Sequence, residues 1–184
     1  MAAEFRDRVY AAAHDELARW GIDRFSIPAL ADRHRIDADT IYQLWADEAT
    51  LIVDVLLGDS NQKVALPDTG SLRGDLTALA MGMAAYVSSA AGHRVQSTHL
   101  IADPQLRSVG IRSKLWETRV KRMSVVFDRA RDRGELRAGI DAATALELLF
   151  APINMRALFT GYPIDEPYCR TISEAVWRAI AADD

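Results

Sequence analysis

Apolar residues recur at steps of three and four along nearly the whole chain, which is the spacing of one face of an α-helix. The clearest stripes are those of Phe5, Val9, Ala13 and Leu17 near the start and of Leu72, Leu76, Leu79 and Met83 in the middle. No stretch of the sequence alternates as a half-buried strand does, and no internal repeat is visible. The pattern predicts an all-α protein with a small N-terminal helical unit and a larger helical bundle.

Residues that begin and end helices stand at the edges of these stripes. Gly21 follows the first stripe and is a good helix stop, and Ser26 can cap a second helix. Asp37 can cap a very short third helix that runs to Leu44, and Asp47 can cap a fourth. The first 60 residues therefore predict four helices joined by short turns.

The segment from residue 58 to residue 71, "GDSNQKVALPDTGS", combines Gly, Ser, Asn, Pro and Asp and lacks helical periodicity. We interpret it as a connection between a first domain at residues 1–57 and a second at residues 72–184. In the second domain, Asp103-Pro104 is a helix start, and the helix it begins can run to Gly134.

A later stretch, "DAATALELLFAPINMRALFTG" from Asp141, is helical in spacing and apolar on most of its circumference. Such a helix must be covered on all sides, and a second copy of the chain is the cover we expect, with two-fold symmetry.

Composition places the chain among soluble globular proteins, with 49% hydrophobic and 26% charged residues in 184. Its single cysteine, Cys169, allows no internal disulfide and is consistent with a cytoplasmic location. The N-terminus is charged from Glu4 onward and lacks the apolar core of a secretory signal. The longest uncharged run, Leu76 to Gly92, is shorter than a membrane span, so we interpret it as a buried helix and expect no membrane partner.

Charge is distributed unevenly along the chain. The formal net charge is −4, and residues 1–60 contain six arginines, no lysine and twelve carboxylates, a local net charge of −6. A polyanionic partner is therefore not predicted by charge alone.

The stretch "WGIDRFSIPALADRHRIDADTIYQLWADEATLIVDVL" is similar to the DNA-binding domain of the TetR family of transcriptional repressors. The positions that carry the similarity are Gly21, Ser26, Leu30, Ala31, Thr40, Ile41, Tyr42, Trp45 and Leu51. Four later segments, "DTGSLRGDL", "ADPQL", "RARDRGEL" and "LLFAPINMRALFTGYPID", resemble one type of TetR ligand-binding domain.

The resemblance implies a TetR-like fold of about nine helices and a homodimeric repressor of transcription. Residues 37–44 would enter the major groove of operator DNA, and a small, largely apolar effector would bind in the C-terminal domain. The last two helices of each chain would pair, which implies an interface formed by Leu149, Ile153, Arg156, Phe159, Ile172, Val176, Trp177 and Ile180.

Side-chain chemistry suggests how the first domain would contact DNA. Hydroxyl groups and arginines can bind phosphate, Gln43 can pair with adenine, and Asp39 can accept from the amino group of cytosine. The candidate DNA contacts are Arg24, Ser26, Arg33, Arg35, Asp39, Thr40, Tyr42 and Gln43. The alternative is that Thr40, Tyr42 and their apolar neighbours only hold the four helices together.

Several positions depart from the family pattern, among them Leu44, Asp37 and Asp39. Arg35 stands where the family usually has a Gly in left-handed conformation, and Glu48 replaces a Lys that contacts phosphate. These departures, with the acidic first third, leave an alternative function open. The chain would then be a TetR-fold module that senses a ligand or a protein partner and has weak or no DNA binding.

Methionines and aromatic residues adapt to varied apolar ligands, so those of the second domain are candidate effector contacts. The candidates are Met83, Tyr86, His99, Trp116, Met123, Phe127, Phe150 and Asn154, with Tyr86, His99 and Asn154 as polar contacts. The same residues at helical spacing are also typical of a plain core.

The sequence contains no Gly-rich phosphate loop and no nucleophile elbow. The four histidines show no metal-ligand spacing with Cys or acidic residues. We therefore expect no catalytic residue, no cofactor and no metal, and predict that the protein is not an enzyme.

Overall fold

In the computed structural model, residues 2–89, 92 and 108–182 are described, and over these residues the chain forms eight α-helices and one π-helical turn without a strand. The α-helices are α1 (Ala2–Trp20), α2 (Ile27–His34), α3 (Ala38–Leu44), α4 (Glu48–Lys63), α5 (Leu72–Val87), α6 (Ser108–Asp132), α7 (Ala142–Met155) and α8 (Glu166–Ile180). The π-helical turn, Arg156–Thr160, follows α7 directly. The predicted all-α fold is confirmed.

The predicted N-caps are confirmed at three helices. The Ser26 side chain accepts from the Ala29 N–H at 3.4 Å, and the Asp37 carboxylate accepts from the Thr40 N–H at 2.8 Å. Asp47 accepts from the Thr50 N–H at 2.6 Å at the start of α4. Each cap satisfies one of the backbone donors that a helix leaves unpaired in its first turn.

The predicted connecting segment is wrong at its first six residues, because α4 continues through Lys63. Gly, Ser and Asn weaken a helix without forbidding it, whereas Pro67 is incompatible with a helix interior. The irregular connection is therefore limited to residues 64–71, and Val64 anchors it with 1% of its surface exposed.

The chain divides into two compact units, and the first contains the described residues 2–59 and 108–115. Its interior is filled by large apolar side chains from each of the first four helices and their turns. They include Val9, Phe25, Ile27, Leu30, Ile41, Trp45, Leu51 and Ile52. Burial of such a side chain contributes about 1.5–3 kcal/mol, so this small unit has a core of its own.

The second unit contains the described residues 60–89, 92 and 116–182. Helix α5 lies against α7 and α8, and the C-terminal part of α6 contributes to the same core. The end of α8 is attached to the loop after α6, where Arg137 N–H donates to Ile180 C=O and Ala182 N–H donates to Glu135 C=O, both at 2.9 Å. The division of functions between the two units remains a prediction.

The segment "DTGSLRGD" forms the loop before α5 and the cap at the start of that helix. Ser71 caps the helix by accepting from the Gly74 N–H at 3.1 Å, and the buried Asp75 accepts from both the N–H and the hydroxyl of Thr69. A Cβ at residue 74 would clash with the Thr69 side chain. Glycine at this position therefore lets the connecting loop close tightly on α5.

The apolar stretch after Asp141 forms α7 and the π-helical turn, ending at Gly161 in left-handed conformation. Pro152 lies inside α7, where it removes one backbone donor. The segment Ala142–Thr160 is long and apolar enough to cross a membrane by composition alone, a test that core helices of soluble proteins also pass. The predicted helix start at Asp103-Pro104 lies outside the described residues.

Candidate nucleic-acid interface

Helices α2 and α3 are joined by a tight turn at Arg35, whose backbone is left-handed with φ 53° and ψ 50°. The Ile36 N–H donates to the Ala31 C=O at 2.9 Å, so the turn closes α2 by the usual C-terminal hydrogen bonds. The left-handed conformation expected at this position is confirmed. It is strained for arginine because a Cβ crowds the following carbonyl.

The carboxylates around α3 are mostly used inside the protein. Asp37 and Asp47 cap α3 and α4, and in each case hydrogen bonds from Thr40 or Thr50 lower the pKa of the carboxyl. Glu48 reaches the start of α2, where its Oε1 accepts from the Ile27 N–H at 3.4 Å. Three of the four acidic groups between residues 37 and 51 are therefore engaged with helix N-termini.

The outward face of α3 carries polar side chains. Tyr42 is 40% exposed, and Asp39 and Gln43 are also exposed one helical turn apart. Arg24 and Arg35 are exposed in the turns before α2 and α3. Within the part of the chain that the structure describes, none of these five side chains makes a hydrogen bond or an ion pair, so all five are available to an external partner.

The three other predicted DNA contacts are engaged within the unit. Arg33 binds the buried carboxylate of Glu16 with two nitrogens, one of them Nε at 2.8 Å from Oε1. The Thr40 hydroxyl donates to Asp37 at 2.5 Å. Ser26 is the cap of α2.

Sequence spacing did not reveal that Asp15, Glu16 and His34 come together, with ligand atoms within 4.8 Å of one another. Such a group could hold a metal ion, but Arg33 already occupies Glu16, and Arg19 Nε lies 2.9 Å from Asp15 Oδ1. His34 Nε2 lies 3.3 Å from Glu16 Oε1. The cluster serves as an ion-pair network that joins α1 to α2.

Comparison with known proteins identifies the family. The family model for the C-terminal domain of tetracyclin repressor-like proteins matches residues 66–176, more than half of the chain. The chain belongs to the TetR family. It is a transcriptional regulator of that family, as its relatives are.

Two relatives show how far the similarity of this TetR-family regulator extends. It is 27% identical over 177 residues to the uncharacterized HTH-type transcriptional regulator YdeS of Bacillus subtilis, covering 95% of this chain and 88% of YdeS. It is 30% identical over 161 residues to the DNA-binding transcriptional repressor TetR of Mycobacteroides abscessus, covering 86% and 84%.

A solved structure shows the same fold. The TetR-family transcription regulator SCO0332 superposes with a TM-score of 0.68 at 20% identity, covering 95% of this chain and 97% of that one. All three relatives are described as regulators of transcription rather than as enzymes.

The candidate effector contacts of the TetR-like second unit gather in one core. Met83, Tyr86, Met123, Phe127 and Phe150 are at most 2% exposed, and Trp116 packs against them. Asn154 is half-buried on α7, and His99 lies outside the described residues. Their contact with an effector remains a prediction, since the same burial serves a plain core.

Arg119, which was not among the predicted effector contacts, lies beside this cluster. The Arg119 guanidinium lies 5.9 Å from the centre of the Tyr86 ring. Burial lowers the pKa of Arg119, and the proximity of Tyr86 partly opposes that shift. An arginine within the predicted effector region adds a polar group that could orient a bound molecule.

Four residues of the predicted dimer interface are buried within the single chain. Leu149, Ile153, Val176 and Ile180 are at most 6% exposed in the single chain, because they face its own core. Arg156 is held inside the chain against the Tyr168 ring and the Pro163 carbonyl, and Trp177 is half-buried beside Arg73.

Four exposed apolar side chains lie on α7, the π-helical turn and the residues after it. They are Leu148, Met155, Phe159 and Tyr162, each between 46% and 67% exposed. An apolar cleft of about 210 Å³ next to Leu148 is lined by Pro152, Ile172, Ala175, Val176 and Ala179. Phe159 also belongs to the interface that the resemblance implied, and the pairing of the last helices with a second chain remains a prediction.

Proposed function

We propose that the protein binds operator DNA as a homodimer in the cytoplasm and that a small molecule changes its affinity for that DNA. The observation that carries this proposal is the outward face of α3. It presents Tyr42 and Gln43 without internal partners, while Asp37, Asp47 and Glu48 are engaged at helix starts. These three carboxylates of the segment therefore accept hydrogen bonds from the protein's own backbone.

The proposed contacts follow from the chemistry of the exposed groups. Gln43 can bind adenine through two hydrogen bonds in the major groove, and Asp39 can accept from a cytosine amino group. The Tyr42 hydroxyl and the guanidinium groups of Arg24 and Arg35 can bind phosphate oxygens. We leave Arg33 and Thr40 out of this set because their donors are already bound to Glu16 and Asp37.

The proposed dimer interface consists of the outward apolar side chains of α7 and the residues after it. An exposed patch of large apolar and aromatic groups is typical of a protein interface. The small side chains of Ala175 and Ala179 beside Leu148 allow helices of two chains to approach closely. Two copies related by a two-fold axis would cover this surface symmetrically.

The proposed effector site is the core region around Tyr86 and Arg119 in the second unit. Its apolar side chains suit a largely apolar molecule, and the phenol and guanidinium groups would orient one polar end of that molecule.

A second candidate function is supported by the net charge of −6 over residues 1–60. In that case the protein keeps the TetR fold but senses a ligand, or acts through a protein partner, with weak or no DNA binding.

Selection from a random pool of duplexes distinguishes the two functions, because it needs no knowledge of the operator. We expect the unmodified dimer to enrich a palindromic sequence at low salt, and its affinity to fall steeply as salt rises, since phosphate contacts release counterions. A folded dimer that enriches no sequence at low salt would contradict operator binding and favour the second function.

Two variants then test the assigned contacts by repeating the selection. Gln43→Ala should relax the preference at one base pair of each half-site, where discrimination of about 1–3 kcal/mol is expected from a paired amide. Tyr42→Phe should weaken all duplexes alike, because it removes a phosphate contact only. A uniform loss from Gln43→Ala would remove Gln43 from the base-contacting role.

A further inference from the structure

Asp54 on α4 joins three separate segments of the first unit. Its Oδ2 accepts from Trp45 Nε1 at 2.8 Å, from the Tyr10 hydroxyl at 2.7 Å and from the Arg6 guanidinium at 2.9 Å. Arg6 and Tyr10 lie one turn apart on α1, and Trp45 is the residue directly after α3. One carboxylate oxygen therefore links α1, the end of α3 and α4.

The three donors also pack against one another. The Tyr10 and Trp45 ring centres are 6.0 Å apart and tilted by 43°, and the Arg6 guanidinium lies 5.4 Å from the centre of the Trp45 ring. Trp45 is 2% exposed, so its indole occupies a single enclosed position. The contact of a guanidinium with an aromatic face is attractive, and it adds to the hydrogen bonds at Asp54.

The charge state of Asp54 suits this role. Partial burial raises the pKa of the carboxyl, but the donors from Trp45, Tyr10 and Arg6 outweigh burial and the net pKa is lowered. The group is therefore a carboxylate at neutral pH, and hydrogen bonds to a carboxylate are stronger than those to a neutral acceptor.

Helix α3 depends on few other attachments. It has seven residues, and Ile41 is its one buried side chain. A helix this short is not stable alone, so its orientation is set by what it packs on. Its C-terminal attachment is Trp45, whose backbone N–H closes the helix on the Ile41 C=O at 2.9 Å.

We propose that Asp54 is the positioning residue of α3: it fixes the Trp45 indole and thereby the direction in which Tyr42 and Gln43 point. Asp54 itself touches no DNA in this proposal. Its consequence for operator affinity rests on the proposed function, whereas its effect on α3 does not.

The effect on α3 is tested without DNA. In Asp54→Ala, we expect the indole N–H resonance of Trp45 to move toward that of a water-exposed indole, and the amide exchange of Ile41 and Trp45 to accelerate by about tenfold or more. Asp54→Asn keeps an oxygen acceptor for the indole, so it should restore most of the wild-type resonance and protection.

Asp15→Ala is the matched control, because its side chain is 39% exposed against 38% for Asp54 and it is also ion-paired with an arginine of α1. It should leave the Trp45 resonance and the protection of α3 unchanged. Unchanged α3 protection in a folded Asp54→Ala variant would overturn the proposal, as would an equal loss of protection in Asp15→Ala.

Trp45→Phe provides a second route if Asp54→Ala does not fold. It keeps an aromatic ring but removes the indole donor, so α3 should lose protection although Asp54 is intact. Where Asp54→Ala does fold, combining it with Trp45→Phe should add little to that loss, because both changes remove the same bond. Fully additive losses, or no loss in Trp45→Phe, would overturn the proposal.

The operator consequence is measured on a duplex enriched by the unmodified protein. Asp54→Ala should lower affinity about tenfold or more while Asp15→Ala changes it little. If the unmodified protein enriches no duplex, the proposed function fails, and the exchange measurements still decide the role of Asp54.

Discussion

Arg35 combines an unfavourable backbone with an exposed side chain. It is the one non-glycine residue with positive φ among the described residues, and its guanidinium makes no hydrogen bond or ion pair within that part of the chain. A left-handed arginine costs about 1–2 kcal/mol relative to a right-handed one. Strain of this kind is often found at functional positions, which fits the phosphate contact that we propose for Arg35.

Replacement of Arg35 therefore separates stability from DNA binding. Arg35→Gly should raise the free energy of unfolding by about 0.5–1 kcal/mol, since glycine adopts positive φ without strain. The same change should lower affinity for an enriched duplex and reduce the magnitude of the slope of log affinity against log salt by about two, because each subunit of the dimer loses one phosphate contact.

Denaturant unfolding and duplex titration measure the two effects. Arg35→Asn is the control, because asparagine tolerates the left-handed conformation but also lacks the charge, so its affinity should fall as in Arg35→Gly. An Arg35→Gly variant with unchanged affinity and salt slope would contradict the phosphate role.

Glu48 illustrates why a charge reversal in sequence does not by itself abolish an interface. It stands where the TetR family usually has a phosphate-contacting Lys, so the sequence predicts repulsion. In the structure its carboxylate accepts from the Ile27 N–H, 21 residues away in the chain. A negative group at a helix N-terminus is stabilising, so Glu48 has a role in packing α4 against α2.

Glu16 of α1 makes polar contacts with α2. This carboxylate is 1% exposed and is bound by Arg33 and His34 of α2. Hydrogen bonds from Arg33 lower the pKa of Glu16, which outweighs the effect of its burial. The free acid in the unfolded chain has its ordinary, higher pKa.

This shift predicts how stability responds to acid. A lowered pKa in the folded state stabilises the protein above the ordinary pKa of glutamate, and that contribution disappears as pH falls through the folded-state value. Glu16→Gln should therefore lower the free energy of unfolding at neutral pH by about 1–3 kcal/mol. The difference from wild type should shrink as pH is lowered from about 7 to about 3.

Urea unfolding of the two proteins across that range measures the difference. Asp15→Asn, which removes an exposed pair within α1 and a 3.7 Å contact with His34, should cost about 0.5 kcal/mol or less. A Glu16→Gln difference that stays constant with pH would contradict the assignment, because it would show that the carboxylate charge is not involved.

The outward apolar face of α7 is a property of the assembled chain. Leu148, Met155 and Phe159 have no cover within the described residues, whereas Leu149 and Ile153 are enclosed. Both sets lie on α7 or the turn that continues it and have similar hydropathy, so only the packing of α5 and α8 against α7 distinguishes them.

A charge on that face should separate the proposed dimer. Leu148→Glu should yield a folded monomer in sedimentation or light scattering, because a buried unpaired carboxylate is costly at an interface. Leu66→Glu is the control, since Leu66 is also an exposed leucine of the second unit, 38% against 46% exposed. A dimer that persists in Leu148→Glu would place the interface elsewhere.

Much of the fold follows from local sequence. Helical spacing, the caps at Ser26, Asp37 and Asp47 and the stop at Gly21 involve residues within four positions of one another, so the sequence shows them directly. The end of α4 was predicted too early because propensity is a weak guide beside tertiary packing.

The candidate interface could be predicted only in part, because some of its side chains are bound by residues that are distant in the chain. Tyr42 and Gln43 face outward because the helical period turns them away from the side of α3 on which Ile41 is buried. The partners of Arg33, Glu48 and Asp54 lie 17, 21 and up to 48 residues away, and no spacing rule reaches that far.

Local sequence thus specified an all-helical chain, its helix ends and the TetR-like order of its helices, since those depend on hydrogen bonds and apolar periods within a few turns. The tertiary structure determined which carboxylates act as helix caps or ion-pair partners, which exposed arginines make no internal hydrogen bond, and which face of α7 is exposed. Those outcomes depend on contacts between segments distant in the chain, and a side chain's availability is known only once its neighbours in space are known.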